Sequence, residues 1–202
     1  MRGIALLKTL CVVLACTAAL AARADDIEVR DARLAATEEG VALAADFAFD
    51  LNPRLAEVVA NGVPLYFVVE FELTRPRWWW FDEKAAAKRM QLRLSYHALS
   101  RHYRLSTGLL QQNYASLEQA LNVLRRVRNW LVVDRSVPLA DATYEAAVRM
   151  RLDVTLLPKP FQLSALTQRE LNLESPWRRF SYRPPPVPAP VENRDPKEAE
   201  AK

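Results

Sequence analysis

The chain has 202 residues, of which half are hydrophobic and 26% are charged, with a formal net charge of +4 and two cysteines. Residues 1–24 hold both cysteines and carry bases but no acids, so residues 25–202 are nearly neutral and free of cysteine. A near-neutral charge gives no support for a nucleic-acid partner. The lack of cysteine excludes a disulfide or a cysteine–zinc site in this part.

Residues 1–24 have the pattern of a secretory signal peptide. An apolar run from Leu10 to Ala22 follows a basic start, and the small-residue site Ala22-Arg23-Ala24 predicts cleavage after Ala24. The run is shorter than the roughly 20 apolar residues that span a bilayer. We therefore expect a periplasmic or secreted protein. An alternative is a lipoprotein anchored at Cys16, although Leu14 fits the acylation motif poorly.

Alternation of apolar and polar residues predicts most of the remaining structure as strands with one wet face. The first two strands form a hairpin through the turn Glu38-Glu39-Gly40. In the third, Glu70 and Glu72 are predicted on a solvated face. The predicted strands cover residues 27–34, 41–51, 64–73, 89–99, 102–106 and 144–157.

Two helices are predicted between these strands. The clearer one begins at Ser116, where Gln119 completes a capping box, and three arginines at its end suit the helix dipole. The weaker one runs from Pro53 to Ala60 and stops at Asn61-Gly62. The arginines are Arg125, Arg126 and Arg128.

The pattern predicts a mainly β protein, an antiparallel β-sandwich that is immunoglobulin-like or related, with one or two inserted α-helices. We expect this domain to span residues 25–183. Residues 184–202 are rich in proline and charge and offer only alanine and valine for burial, so we expect a disordered tail.

The segment RPRWWWFDEK, residues 75–84, holds three consecutive tryptophans. In an extended chain they cannot all point inward, and two outward rings would show about 400 Å² of apolar surface. Either a loop near Pro158–Phe161 or Trp177 covers them, or they form a docking site for a protein, a glycan or the membrane interface. The predicted binding residues are Arg75, Arg77, Trp78, Trp79, Trp80 and Phe81.

Charge is segregated along the sequence, with acids prevailing from Asp25 to Thr74 and bases from Lys88 to Arg128. One interpretation is that the basic half contacts an anionic membrane surface or an acidic partner. The other is that acidic and basic strands lie side by side and neutralise each other across the sheet.

Few residues suit catalysis. His97 and His102 are the two histidines, and the sequence has no HxH or HExxH spacing, no glycine-rich phosphate loop and no GxSxG motif. We therefore expect no metal and no cofactor. A hydrolase acting on envelope glycan or peptide stays an alternative, with His97 and strand carboxylates such as Glu70 and Glu72 in its site.

The segments IEVRDARL, FELTRPRWWWFDEK, LRLSYHALSRHYRL, SLEQAL and SPWRRFSY follow a signal peptide in an order that resembles one family of exported proteobacterial proteins. That family is defined as a domain of unknown function (DUF4390). The resemblance implies an envelope location and a domain that ends before the proline-rich tail. It carries over no activity and no catalytic residues.

These features favour a non-enzymatic envelope protein that binds another envelope component through the tryptophan segment. An accessory protein to a membrane signalling receptor is a further alternative, and it would use the same surface. The oligomeric state has no signature in the sequence.

Overall fold

The computed structural model describes residues 27–76, 83–162 and 173–185. The predicted signal peptide, most of the tryptophan segment and most of the predicted tail lie outside the described residues. Nine strands and two α-helices make up the described part, and their bounds are given in chain order. They are β1 (Glu28–Thr37), β2 (Gly40–Ala48), α1 (Pro53–Ala60), β3 (Leu65–Arg75), β4 (Glu83–His97), β5 (His102–Thr107), β6 (Leu110–Tyr114), α2 (Leu117–Leu124), β7 (Arg126–Asp134), β8 (Tyr144–Leu152) and β9 (Arg178–Tyr182).

The strands form two antiparallel sheets. The smaller sheet has the order β1-β2-β7, and the larger has the order β6-β5-β4-β3-β8-β9. β3 is therefore a central strand, because it pairs with β4 on one side and with β8 on the other. The fold is the predicted antiparallel β-sandwich with two inserted α-helices.

One hydrophobic core lies between the sheets. The odd residues of β3 from Leu65 to Leu73 and the even residues of β8 face it, and both sets are almost completely buried, as alternation predicts. From the smaller sheet, Leu43 and Phe47 enter the same core. Beyond the end of β2, the Phe49 ring lies 5.5 Å from that of Phe67, so the inner faces of the two sheets are in direct contact.

Both predicted helices are present, and polar side chains begin them. The Asn52 Oδ1 accepts a hydrogen bond of 2.8 Å from the Leu55 backbone N–H at the start of α1. The Ser116 Oγ accepts one of 3.3 Å from the Gln119 N–H at the start of α2. Each such cap satisfies an N–H group that has no partner within the helix. Their buried faces, which include Leu55 and Leu121, join the core.

Three sequence predictions need correction. The chain turns at Arg125, so Arg126 and Arg128 begin β7 and do not extend the helix end. β6 was not predicted because its residues LQQNY are almost all polar and exposed, and β7 was not predicted because its basic start reads as the end of the preceding helix. Lastly, β8 ends at Leu152, since Asp153 caps a short 3-10 helix over Val154–Leu156 through a bond from the Thr155 N–H.

Candidate binding surface on the larger sheet

The predicted tryptophan site lies at the end of the β3–β4 hairpin. Arg75 closes β3, and its guanidinium lies 2.8 Å from the carboxylate of Glu83, which opens β4 and is its register partner. Residues 77–82 connect these two ends. The predicted site residues Arg77, Trp78, Trp79, Trp80 and Phe81 therefore belong to this connection and lie outside the described residues.

The outer face of β3 holds a buried carboxylate where a solvated one was predicted. Glu70 is 3% exposed although it points away from the core. Its Oε2 accepts from the Nε of Arg149 at 2.6 Å, and its Oε1 lies 3.1 Å from the Nε of Arg89 and 3.6 Å from Nη2 of Arg151. We call Glu70, Arg89, Arg149 and Arg151 the Glu70 cluster. The prediction of a solvated Glu70 was wrong, because these long side chains cover it.

Strand register explains why these residues meet. Glu70 lies opposite Arg89 of β4 and opposite Arg149 of β8, so it is flanked on both sides. The ring of Trp177, just before β9, stacks on the Arg149 guanidinium at 4.6 Å from the ring centroid. A buried charge is tolerated only when it is paired and hydrogen-bonded. The cluster surrounds one anion with three cations and hydrogen-bonds its Oε2, whereas Oε1 lies in ion pairs but has no hydrogen-bond partner among the described residues.

The charge segregation along the sequence becomes pairing between adjacent strands at the tryptophan end of the face. Besides Arg75 and Glu83, the Lys84 Nζ lies 2.9 Å from the Glu72 carboxylate. The pairs Glu72–Lys84 and Glu70–Arg89 join acids of β3 to bases of β4 and support the interpretation that acidic and basic strands complement each other, whereas in the Arg75–Glu83 pair the base lies on β3. The pairing is incomplete farther along, because the Glu70 cluster has more cations than anions and Arg93 on β4 is exposed.

The two histidines lie far from the strand carboxylates. His97 and His102 are register partners at the β4–β5 turn, where the Nδ1 of His97 is 3.1 Å from the Ser100 hydroxyl. His97 is eight residues along β4 from Arg89, or about 27 Å at 3.4 Å per residue. The structure therefore does not bring His97 together with Glu70. Among the described residues, no group of three or more metal-ligating side chains occurs.

The sequence predicts a strand with one wet face over residues 144–157, which includes Arg149 and Arg151, but does not connect these arginines with Glu70, from which Arg149 is separated by 79 positions. It also predicts for Trp177 only a role as a cover for the tryptophan segment. The sequence did offer one signal for this cluster. The acids of β3 and the arginines of β8 both alternate onto the wet face of their own strand. Parity identifies a face, whereas the pairing of β3 with β8 had to be seen in the structure.

A family model described as Domain of unknown function (DUF4390) matches residues 24–181. No curated protein and no solved structure matches the chain. In the described part of the chain, no helix is both long and apolar enough to cross a membrane. Since the family model covers well over half of the chain, the protein belongs to the DUF4390 family.

Proposed function

We propose that this protein is an exported, non-enzymatic envelope protein that binds another envelope component, either a protein or a glycan. The signal-peptide pattern of residues 1–24 supports export. The observation that supports docking is the Arg75–Glu83 pair, which braces the end of the β3–β4 hairpin beside the tryptophan segment. The pair joins the two strand ends from which the segment extends, and aromatic residues are enriched at interface cores.

Photo-crosslinking in cells tests this function. A crosslinking amino acid at position 78 or 80 should capture one and the same envelope component. Leu99, which is 94% exposed at the opposite turn of β4, provides a matched control position. Capture of the same component from position 99, or of nothing from 78 and 80, would contradict docking at the tryptophan segment.

The paired substitution Trp78→Ala and Trp80→Ala separates docking from a structural role. We expect the variant to lose the captured partner and to keep its thermal midpoint within a few degrees, because outward rings contribute little to the core. A large fall in the midpoint would instead show that the rings are part of the folded core. If the captured partner is a membrane receptor, the protein is a signalling accessory, because that alternative differs only in the partner.

A further inference from the structure

The open edge of β4 borders a cleft that has no role in the docking proposed above. β5 pairs with β4 only from Leu92 to His97. In the described part of the chain, Glu83 to Gln91 therefore has no paired strand on that side. The cleft lies beside the point where the pairing of β4 with β5 ends. Its volume is about 560 Å³, a size that is typical of sites for small molecules.

Four of the residues that line the cleft belong to one register row. Tyr66 of β3 lies opposite Arg93 of β4, Arg93 lies opposite Ser106 of β5, and Ser106 lies opposite Gln111 of β6. Directly opposed residues of antiparallel strands project from the same face of the sheet. We call these four residues the Arg93 row. Trp130 of β7 also lines the cleft.

The cleft is cationic. Arg89 and Arg93 line it, and no aspartate or glutamate is among its described lining residues. Arg93 is exposed, and its guanidinium lies 5.9 Å from the centroid of the Tyr66 ring. No described carboxylate forms an ion pair with it. Arg89 shares the single carboxylate of Glu70 with two other arginines, and its side chain is 76% exposed.

The remaining lining groups suit a ligand with many hydroxyl groups. The Gln111 amide and the Ser106 hydroxyl both donate and accept hydrogen bonds. Tyr66 and Trp130 present aromatic surface, which packs against the C–H face of a sugar ring. A guanidinium binds a carboxylate or a phosphate through two parallel hydrogen bonds.

We propose that this cleft binds an acidic saccharide, a sugar that carries a carboxylate or phosphate group, with Arg93 as the main contact to the anion. The site rests on the proposed function in one respect, because an envelope protein encounters envelope glycans. None of its described lining residues belongs to the tryptophan segment.

Nuclear magnetic resonance titration tests the site directly. The indole N–H signal of Trp130, identified by its loss in Trp130→Phe, should shift on addition of millimolar trigalacturonate, sialyllactose or a hexose phosphate. It should not shift with neutral maltotriose. A response to maltotriose equal to the acidic response, or no response to any of the three acidic probes, would overturn the proposal. An equal response to inorganic phosphate alone would overturn its saccharide part.

Two substitutions locate the contact. Arg93→Gln should weaken binding of the responding probe about tenfold or more, because it removes a charge-assisted hydrogen bond. Arg33→Gln should leave affinity unchanged, since Arg33 lies on β1 of the other sheet in an exposed pair with Asp31. Equal losses in both variants would point to nonspecific charge attraction. Crosslinking from positions 78 and 80 should persist in Arg93→Gln, so failure of this site and failure of docking give separate results.

Discussion

At the scale of single residues, Glu70 is the one charged side chain that is buried in the described part of the chain. It carries one charge in a position that is almost closed to water, and Arg149 contacts one of its oxygens through two nitrogens at 2.6 Å each. A buried ion pair adds little net stability to a fold, because the cost of removing both charges from water offsets much of their mutual attraction. The cost becomes visible when one partner is removed.

Replacing Glu70 with glutamine should lower the free energy of unfolding by about 2 to 3 kcal/mol, because three arginines lose their shared counter-charge. Urea denaturation measures this change. Glu72→Gln is the matched control on the same strand face, where the ion pair with Lys84 is partly exposed. It should cost less than about 1 kcal/mol. Similar losses for both variants would refute a special role for Glu70.

Tyr144 of β8 and Tyr182 of β9 are register partners, and they differ in whether the hydroxyl group has a hydrogen-bond partner. The Tyr144 hydroxyl accepts a hydrogen bond of 2.9 Å from the Ala140 N–H, whereas the buried Tyr182 hydroxyl has no hydrogen-bond partner among the described residues. Burial without a partner raises the pKa of Tyr182. The neutral phenol is therefore favoured in the folded state.

This difference predicts opposite effects of the two phenylalanine substitutions. Tyr182→Phe should leave the free energy of unfolding unchanged or raise it by up to about 1 kcal/mol, while Tyr144→Phe should lower it by about 1 kcal/mol. The pKa of Tyr182 is higher in the folded state than in the unfolded state. The contribution of this shift to the free energy of unfolding is therefore complete below about pH 10 and is lost as the pH rises through the folded pKa. Urea denaturation at neutral and alkaline pH should thus show a smaller alkaline loss in Tyr182→Phe than in the wild type.

At the scale of elements, β2 is held against β7 at a point that accepts only glycine. Gly40 opens β2 with a φ of 143°, and a Cβ there would lie 2.1 Å from the carbonyl oxygen of Val133 on β7. That oxygen belongs to backbone and cannot turn away. The close approach of the two strands therefore depends on the missing side chain.

Gly40→Ala should be strongly destabilising, by about 3 kcal/mol or more, because it combines a clash with backbone strain. Gly108→Ala is the control. Its φ of 56° is also positive, but its Cβ would meet open space, so we expect a cost of about 1 kcal/mol. Thermal unfolding distinguishes the two. A mild effect at Gly40 would mean that β2 and β7 can separate at little cost.

The two helices show how well nearby residues in the sequence predict where a helix begins and ends. Pro53 at the start and Asn61-Gly62 at the stop define α1, and the predicted and observed bounds agree. Helix α2 begins at the predicted cap but ends earlier than its basic residues suggest. Arg125 leaves the helix axis to bind the carboxylates of Asp50 and Glu118. The pair with Asp50 is long-range, since it spans 75 positions, whereas the pair with Glu118 lies within the same helix.

At the scale of the whole molecule, the two sheets share a single core, and most of the candidate binding groups lie on the larger sheet. The larger sheet combines the Glu70 cluster, the Arg93 row and the hairpin end that carries the tryptophan segment. All three involve β4, whose outer residues Arg89, Gln91 and Arg93 are exposed. This long basic strand has no partner within the described residues along Glu83 to Gln91 on one edge, and it concentrates the candidate binding groups on one side of the larger sheet.

The sequence by itself determined the fold class, the inward residues of β2, β3 and β8, and both helix starts, because each depends on neighbours only a few positions apart. Alternate side chains of a strand point to opposite faces whatever the strand pairs with. Only the tertiary structure decided that Glu70 is buried, that Arg149 reaches it across 79 positions, and that a cleft opens beside Arg93. Those features depend on which strands become neighbours and where each ladder ends, and no local pattern encodes that choice.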